Sequence, residues 1–226
     1  MSAEPDLDGG SSRDPLRAAA ETMREVREHC VWSQQITHRD LVPYLIEESH
    51  EVIDAVEGGT RADLREELGD LLWQVLFHAA IAAQDPDDPF DIDDVAATLT
   101  EKMVRRHPHV FAGEVATTPE EVLVHWNAAK AAEKRTRRSV LEGIPRGMPA
   151  LALAQKVVGR AEGAGVVVAA TDADGTAPAP SSEAELGDAL LRLVSVARAE
   201  GWDAERALRE RLRAVEAEVR AAESAV

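Results

Sequence analysis

Leu41-Val42-Pro43-Tyr44-Leu45-Ile46-Glu47-Glu48-Ser49-His50-Glu51-Val52-Ile53-Asp54-Ala55-Val56-Glu57-Gly58-Gly59-Thr60-Arg61-Ala62-Asp63-Leu64-Arg65-Glu66-Glu67-Leu68-Gly69-Asp70-Leu71-Leu72 is the stretch on which the fold turns. Val42, Leu45, Ile46, Val52, Ile53 and Val56 recur at helical spacing, which predicts a helix over about 41–57 that Gly58-Gly59 stops. Thr60 with Asp63 three residues on forms a capping box for a second helix over about 61–84. So short a turn makes the two helices antiparallel neighbours.

Those neighbours carry a dense set of acids. At about 100° per residue, Glu48 and Glu51 share a face, Glu67 and Asp70 share another, and Glu47 borders the first strip. Four or five carboxylates can therefore converge across the helix pair. Held a few ångströms apart without cations they would repel and raise one another's pKa, so hard oxygen-loving ions such as Mg²⁺ or Mn²⁺ suit them. A plainer reading stays open beside this one. The helical wheel sets these acids roughly opposite the apolar stripes of their helices, where acidic faces are ordinarily just solvated. For a site to exist, later helices or a second subunit must cover it.

Outward from this pair the chain continues as helix after helix. Asp14-Pro15 starts one that runs to about His29, and Asp91 caps another through about Arg106, which Pro108 ends. Thr118-Pro119-Glu120-Glu121 opens a helix expected to reach about Arg138, and a sixth covers 150–162. Residues 163–182 are rich in Ala, Gly, Pro, Asp and Thr without helical period, which predicts a flexible linker. Two last helices follow over about 183–200 and 203–224. The expectation is an all-α protein: a tail over 1–13, a catalytic helical domain over 14–140, a connecting helix over 141–162, the linker over 163–182 and a helical pair over 183–226.

Composition narrows the function classes. The 226 residues, 24.4 kDa, are enough to bury about 70% of the unfolded surface. With 42 Asp+Glu against 25 Lys+Arg the formal charge is −17, which argues against a nucleic-acid polymer as partner and favours cations. Cys30 is the sole cysteine, so no internal disulfide forms, and a reducing, cytoplasmic setting is expected. No apolar run approaches the length of a membrane span, and the acidic N-terminus is unlike a targeting signal.

Glu47-Glu48-x-x-Glu51, fifteen intervening residues and Glu67-x-x-Asp70 resemble the signature of the MazG family of nucleoside triphosphate pyrophosphohydrolases, within the wider all-α NTP pyrophosphohydrolase group. The resemblance extends through Cys30 to His38, Glu67 to Gln74, Glu101 to Phe111, Trp126 to Lys134 and Ile144 to Lys156, and spans about residues 15–162. It implies an intertwined helical homodimer that hydrolyses a nucleoside triphosphate to the monophosphate and pyrophosphate, in nucleotide-pool sanitation. It further implies Glu48, Glu51, Glu67 and Asp70 as Mg²⁺ ligands and Lys102, Arg105 and Arg106 as triphosphate contacts, a role to which Arg and Lys are chemically suited. Trp126 and Lys130 are weaker candidates for base stacking and phosphate contact, as is Trp32 for the substrate. Glu47, flanking the ligands, is the candidate general base.

The chain departs from the family pattern in two places. Cys30-Val31-Trp32-Ser33 stands where Cys-Pro-Trp-Asp is expected, which bears on base preference. Glu67-Leu68-Gly69-Asp70-Leu71-Leu72 recurs as Glu185-Leu186-Gly187-Asp188-Ala189-Leu190, but no Glu-rich helix precedes the second copy. Residues 183–226 therefore read as a shortened, degenerate repeat kept for folding or assembly. A catalytically idle dimerisation or regulatory module is the competing reading. A di-iron centre is a third, weakened because Glu47-x-x-His50 has no second Glu-x-x-His to match it.

Overall fold

The computed structural model describes residues 14–133, 139–166 and 179–224, and among them all regular structure is helical. The expected tail over 1–13 lies outside the described residues, as do 134–138 and most of the expected linker, 167–178. The chain divides into two compact units between Ala131 and Ala132.

The first unit is built around one long helix. The helices are α1 (Pro15–His29), α2 (Val31–Gln35), α3 (Val42–Gly58), α4 (Arg61–Ala82), α5 (Ile92–Arg106), α6 (Pro108–Phe111) and α7 (Pro119–Glu133), whose end crosses the boundary. Helix α4 packs against α1, α3 and α5. Met23, Leu41, Leu76 and Phe77 form the buried core, with Ile36, Leu72, Trp73, Ile81 and Ile92 packed on it. The caps follow the sequence signals. Asp14 accepts from Leu16 N, Thr60 and Asp63 exchange hydrogen bonds of 2.7 and 3.2 Å, and Asp91 and Asp94 do the same at the head of α5. Arg27 is buried and fastens the unit from within: its Nε donates to Gln84 Oε1 at 2.9 Å, and its Nη1 to the carbonyls of Ile36, at 2.9 Å, and Ser33.

Two short helices, α2 and α6, have no counterpart in the sequence reading. Pro108 does not simply end a helix: His107 leaves the helical region (φ −124°, ψ 60°), proline disfavouring the α conformation in the residue before it, and Pro108 then opens α6.

The second unit holds α8 (Ala150–Glu162), α9 (Glu183–Ala199) and α10 (Ala204–Ser224). Val158, Ala161, Val194 and Ser195 are its buried contacts. Gly159 leaves room for the Arg198 guanidinium, which pairs with Glu162 at 2.7 Å. Gly201, at φ 73°, ends α9 with a pair of bonds from Gly201 N to Arg198 O and Trp202 N to Ala197 O, turning the chain into α10. No helix of the described residues is long and apolar enough to cross a membrane.

Candidate functional site

The spacing between α3 and α4 is set at their turn. A Cβ on Gly59 would fall 2.8 Å from Ala55 Cα and 3.0 Å from its carbonyl oxygen, so only glycine lets the chain reverse this tightly. The capping box starts α4 at the next residue. Positions rising along α3 then face positions falling along α4, which sets Glu48 against Gln74.

Glu48, Glu67 and Asp70 each offer a carboxylate oxygen, and the three atoms lie within 4.8 Å of one another. Glu48 is only 9% exposed and lies 3.5 Å from Nε2 of Gln74, a fully buried residue. Burial, then the charges of Asp70 and Glu51, raise the Glu48 pKa above the ordinary carboxylate range, against a smaller opposite pull from the Gln74 amide. Glu67 is raised too, by lost hydration and by Glu51 and Asp70. Glu51 thus stands beside the three without joining the tightest group, and a shallow groove lined by Glu51, Asp54, Asp63 and Glu67 adjoins them. A donor set of carboxylates alone, crowded enough to hold protons abnormally, fits a hard divalent cation and not a soft one.

This geometry overturns the solvated-face reading for Glu48. On α3 the residues turned inward are Glu48 and Ala55, whereas Val42, Leu45, Ile46 and Val56 are exposed, Ile46 at 54% and Val56 at 65%. Leu68 and Val75 on α4 are exposed as well. Periodicity finds two faces of a helix but does not say which of them is covered.

Other expected residues gather elsewhere or stand apart. Glu47 is exposed on α3 and lies outside the three-carboxylate group. Lys102, Arg105 and Arg106 lie along α5, where the Arg106 guanidinium sits 4.9 Å from the Trp126 ring centre. The His107 ring meets Trp126 edge-on at 5.2 Å, and His107 Nδ1 donates to Met103 O, a capping and packing role. Lys130 follows Trp126 by one turn of α7. Trp32, half exposed, leans on Phe77 at 6.1 Å and so belongs in part to the core edge. His50 is exposed and donates to Ile46 O, with no part in the acidic group. Gln74 enters the sequence reading only as the end of the Glu67 to Gln74 block, with no role given to it, although it follows Asp70 by four residues and shares its face of α4.

Residues 36–111 match the MazG nucleotide pyrophosphohydrolase domain. A nucleoside triphosphate pyrophosphohydrolase of Escherichia coli is 36% identical over 216 residues, covering 86% of this chain and 81% of that protein. The chain belongs to the MazG family. A 26.1 kDa protein of Streptomyces cacaoi is 49% identical over 208 residues, covering 92% of this chain and 82% of its own length. A nucleoside triphosphate pyrophosphohydrolase of Mycobacterium tuberculosis is 51% identical over 148 residues, which make up 66% of this MazG chain but 45% of the mycobacterial one.

Proposed function

We propose that this chain hydrolyses nucleoside triphosphates, normal or damaged, to the monophosphate and pyrophosphate in a Mg²⁺-dependent reaction that clears unwanted nucleotides from the cytoplasmic pool. The observation that carries the proposal is the approach of Glu48, Glu67 and Asp70 oxygens to within 4.8 Å with Glu48 buried, because like charges so placed call for a divalent partner. The same activity is named for the Escherichia coli and Mycobacterium tuberculosis relatives.

Glu48, Glu51, Glu67 and Asp70 would hold Mg²⁺, with Mn²⁺ as a substitute. The ion would neutralise triphosphate oxygens and acidify a bound water. The chain's own residues do the rest. Lys102, Arg105 and Arg106 grip phosphate oxygens, and Arg106, lying over the Trp126 ring, sets that charge beside the surface on which a base stacks. Lys130 adds a second phosphate contact, and Trp32 borders the base. Glu47, one residue before a ligand and open to water, accepts the proton of the attacking water.

The reading includes an intertwined homodimer. Val42, Leu45, Ile46 and Val56 of α3 with Leu68 and Val75 of α4 make an apolar surface that the chain itself leaves open. A second copy would cover it and close the acidic group from water. The helices α9 and α10 serve assembly as a shortened repeat without a site of their own.

Incubating the protein with a panel of normal and modified NTPs and dNTPs plus Mg²⁺, and measuring pyrophosphate, tests the reading. Release from at least one substrate, lost in Glu48→Gln, supports it; a panel without release, or turnover unchanged by that substitution, overturns it.

A further inference from the structure

Four apolar residues of α10, Leu208, Leu212, Val215 and Val219, follow one another at spacings of 4, 3 and 4. That is the repeat of a coiled-coil seam, and it keeps all four on one strip of the helix. The strip is open: Leu208 is 49% exposed, Leu212 52%, Val215 38% and Val219 50%. Helix α10 is nonetheless held at its start. Ala204 N donates to Gln155 Oε1 at 3.0 Å and Ala152 N to Glu205 Oε2 at 3.4 Å, so α8, with 13 residues, fixes the root of a helix of 21.

The charges beside the strip point to what covers it. Arg209 and Glu216 line one edge and Arg211 and Glu218 the other, so each edge is basic first and acidic two turns later. Within one chain Arg211 Nη1 reaches Glu218 Oε1 at 3.2 Å, with both side chains more than half exposed. When a second copy of α10 runs end for end against the first, Leu208 meets Val219 of that copy and Leu212 meets Val215. Every leucine then faces a valine. In the same register Arg211 faces Glu218 and Arg209 faces Glu216, twice each by symmetry, so all four flanking contacts join opposite charges. A parallel pair matches only Arg211 with Glu216 and sets Arg209 opposite Ala204. Helix α9 carries no such code: Leu186, Leu190 and Leu193 repeat the spacing, but Gly187, Ala189, Val194 and Val196 flank them.

We propose that α10 pairs antiparallel with α10 of a second copy of this chain, through the strip Leu208, Leu212, Val215 and Val219. The overlap is only about 16 Å long, too short to hold two free helices together, so the pairing depends on α10 being anchored on α8 before the copies meet. The inference rests on the assembly role given above to α9 and α10 and names its partner; it makes no use of the acidic group.

The test uses the full chain carrying Cys30→Ser, so that an introduced thiol is the only one. Under oxidising conditions Leu208→Cys mixed with Val219→Cys is expected to give a disulfide-linked dimer of the two chains. Leu208→Cys alone is expected to give almost none, because the two copies of residue 208 stand about 16 Å apart along the pair, beyond the reach of a disulfide. Glu216→Arg/Glu218→Arg placed in both chains makes every flanking contact repulsive and is expected to cut the mixed cross-link at least about 10-fold. Placed in one chain only, with Arg209→Glu/Arg211→Glu in the other, it is expected to restore the cross-link. Cross-linking of Leu208→Cys with itself in place of the mixed pair marks a parallel dimer and overturns the inference. So does the absence of any cross-link, or a mixed yield indifferent to the charge reversals. Sedimentation equilibrium of the unmodified chain separates this pairing from the homodimer proposed above: a monomer overturns both, whereas a self-associating chain without the mixed cross-link overturns the α10 pairing alone.

Discussion

Glu67-Leu68-Gly69-Asp70 on α4 and Glu185-Leu186-Gly187-Asp188 on α9 are the same four letters in opposite electrostatic settings. Glu67 lies beyond the first turn of α4, against the acids of α3, and its pKa is raised. Glu185 lies in the first turn of α9, where it accepts from Ser181 N at 2.7 Å and Ser181 Oγ at 2.8 Å, and its pKa is lowered by those bonds. The first carboxylate is short of positive partners; the second is fully served as a cap. What an acidic motif can do is thus decided by the helix that faces it and by its distance from a helix start, more than by its letters.

The largest expected difference between the two copies is catalytic. Glu67→Gln should reduce pyrophosphate release about 100-fold or more, in line with loss of several kcal/mol of transition-state stabilisation, while Glu185→Gln leaves it unchanged. A comparable loss in Glu185→Gln would break the contrast and give the second copy a site. Next in size is the response to metal. Mg²⁺ at a hundred times its dissociation constant should stabilise the protein by about 2.7 kcal/mol, and chelation should remove both that gain and the activity. Glu67→Gln should blunt the shift in a melting experiment and Glu185→Gln should not.

A smaller effect belongs to the histidine behind the first copy, for which α9 has no equivalent at the matching position, Val196. Burial, then the neighbouring His38, lower the His78 pKa. The folded state therefore binds this proton less readily than the unfolded chain, so stability is present above the ordinary histidine value of about 6.5 and is lost as pH falls below it. Denaturant midpoints between pH 7.5 and 5.5 should fall in the wild type and flatten in His78→Gln. The smallest expected change is in the second unit. In Gly159→Ala the new Cβ would meet the Arg198 guanidinium carbon at 2.5 Å, but that group is the far end of a flexible, half-exposed side chain. Loss of an exposed ion pair and a gain in helix propensity, each up to about 1 kcal/mol, should nearly cancel.

The sequence shows the helix starts plainly, because Asp14-Pro15, Thr60 with Asp63, and Asp91 are local signals whose bonds close within a few residues. That Glu48, Glu67 and Asp70 approach one another also follows from spacing and a two-glycine turn. The inward tilt of Glu48 does not, since an amphipathic pattern on α3 describes the helix and not its neighbours. Helices as short as α2 and α6 carry too few residues to show a period. Gln74 and the His38–His78 contact are hidden for a different reason: each residue is unremarked alone, and only the packing of α4 against α3 and its preceding loop makes a group of them.

Gly59 has a consequence for any attempt to alter this protein. The nearest neighbour of its missing side chain is backbone, which cannot step aside as the Arg198 guanidinium can, so one added methyl would pry the two helix ends apart. The carboxylates a few turns away would separate like the jaws of tongs opened at the pivot. If the carboxylates hold an ion as proposed, its affinity is governed partly from a position that bears no functional group, and a search restricted to charged side chains would overlook it.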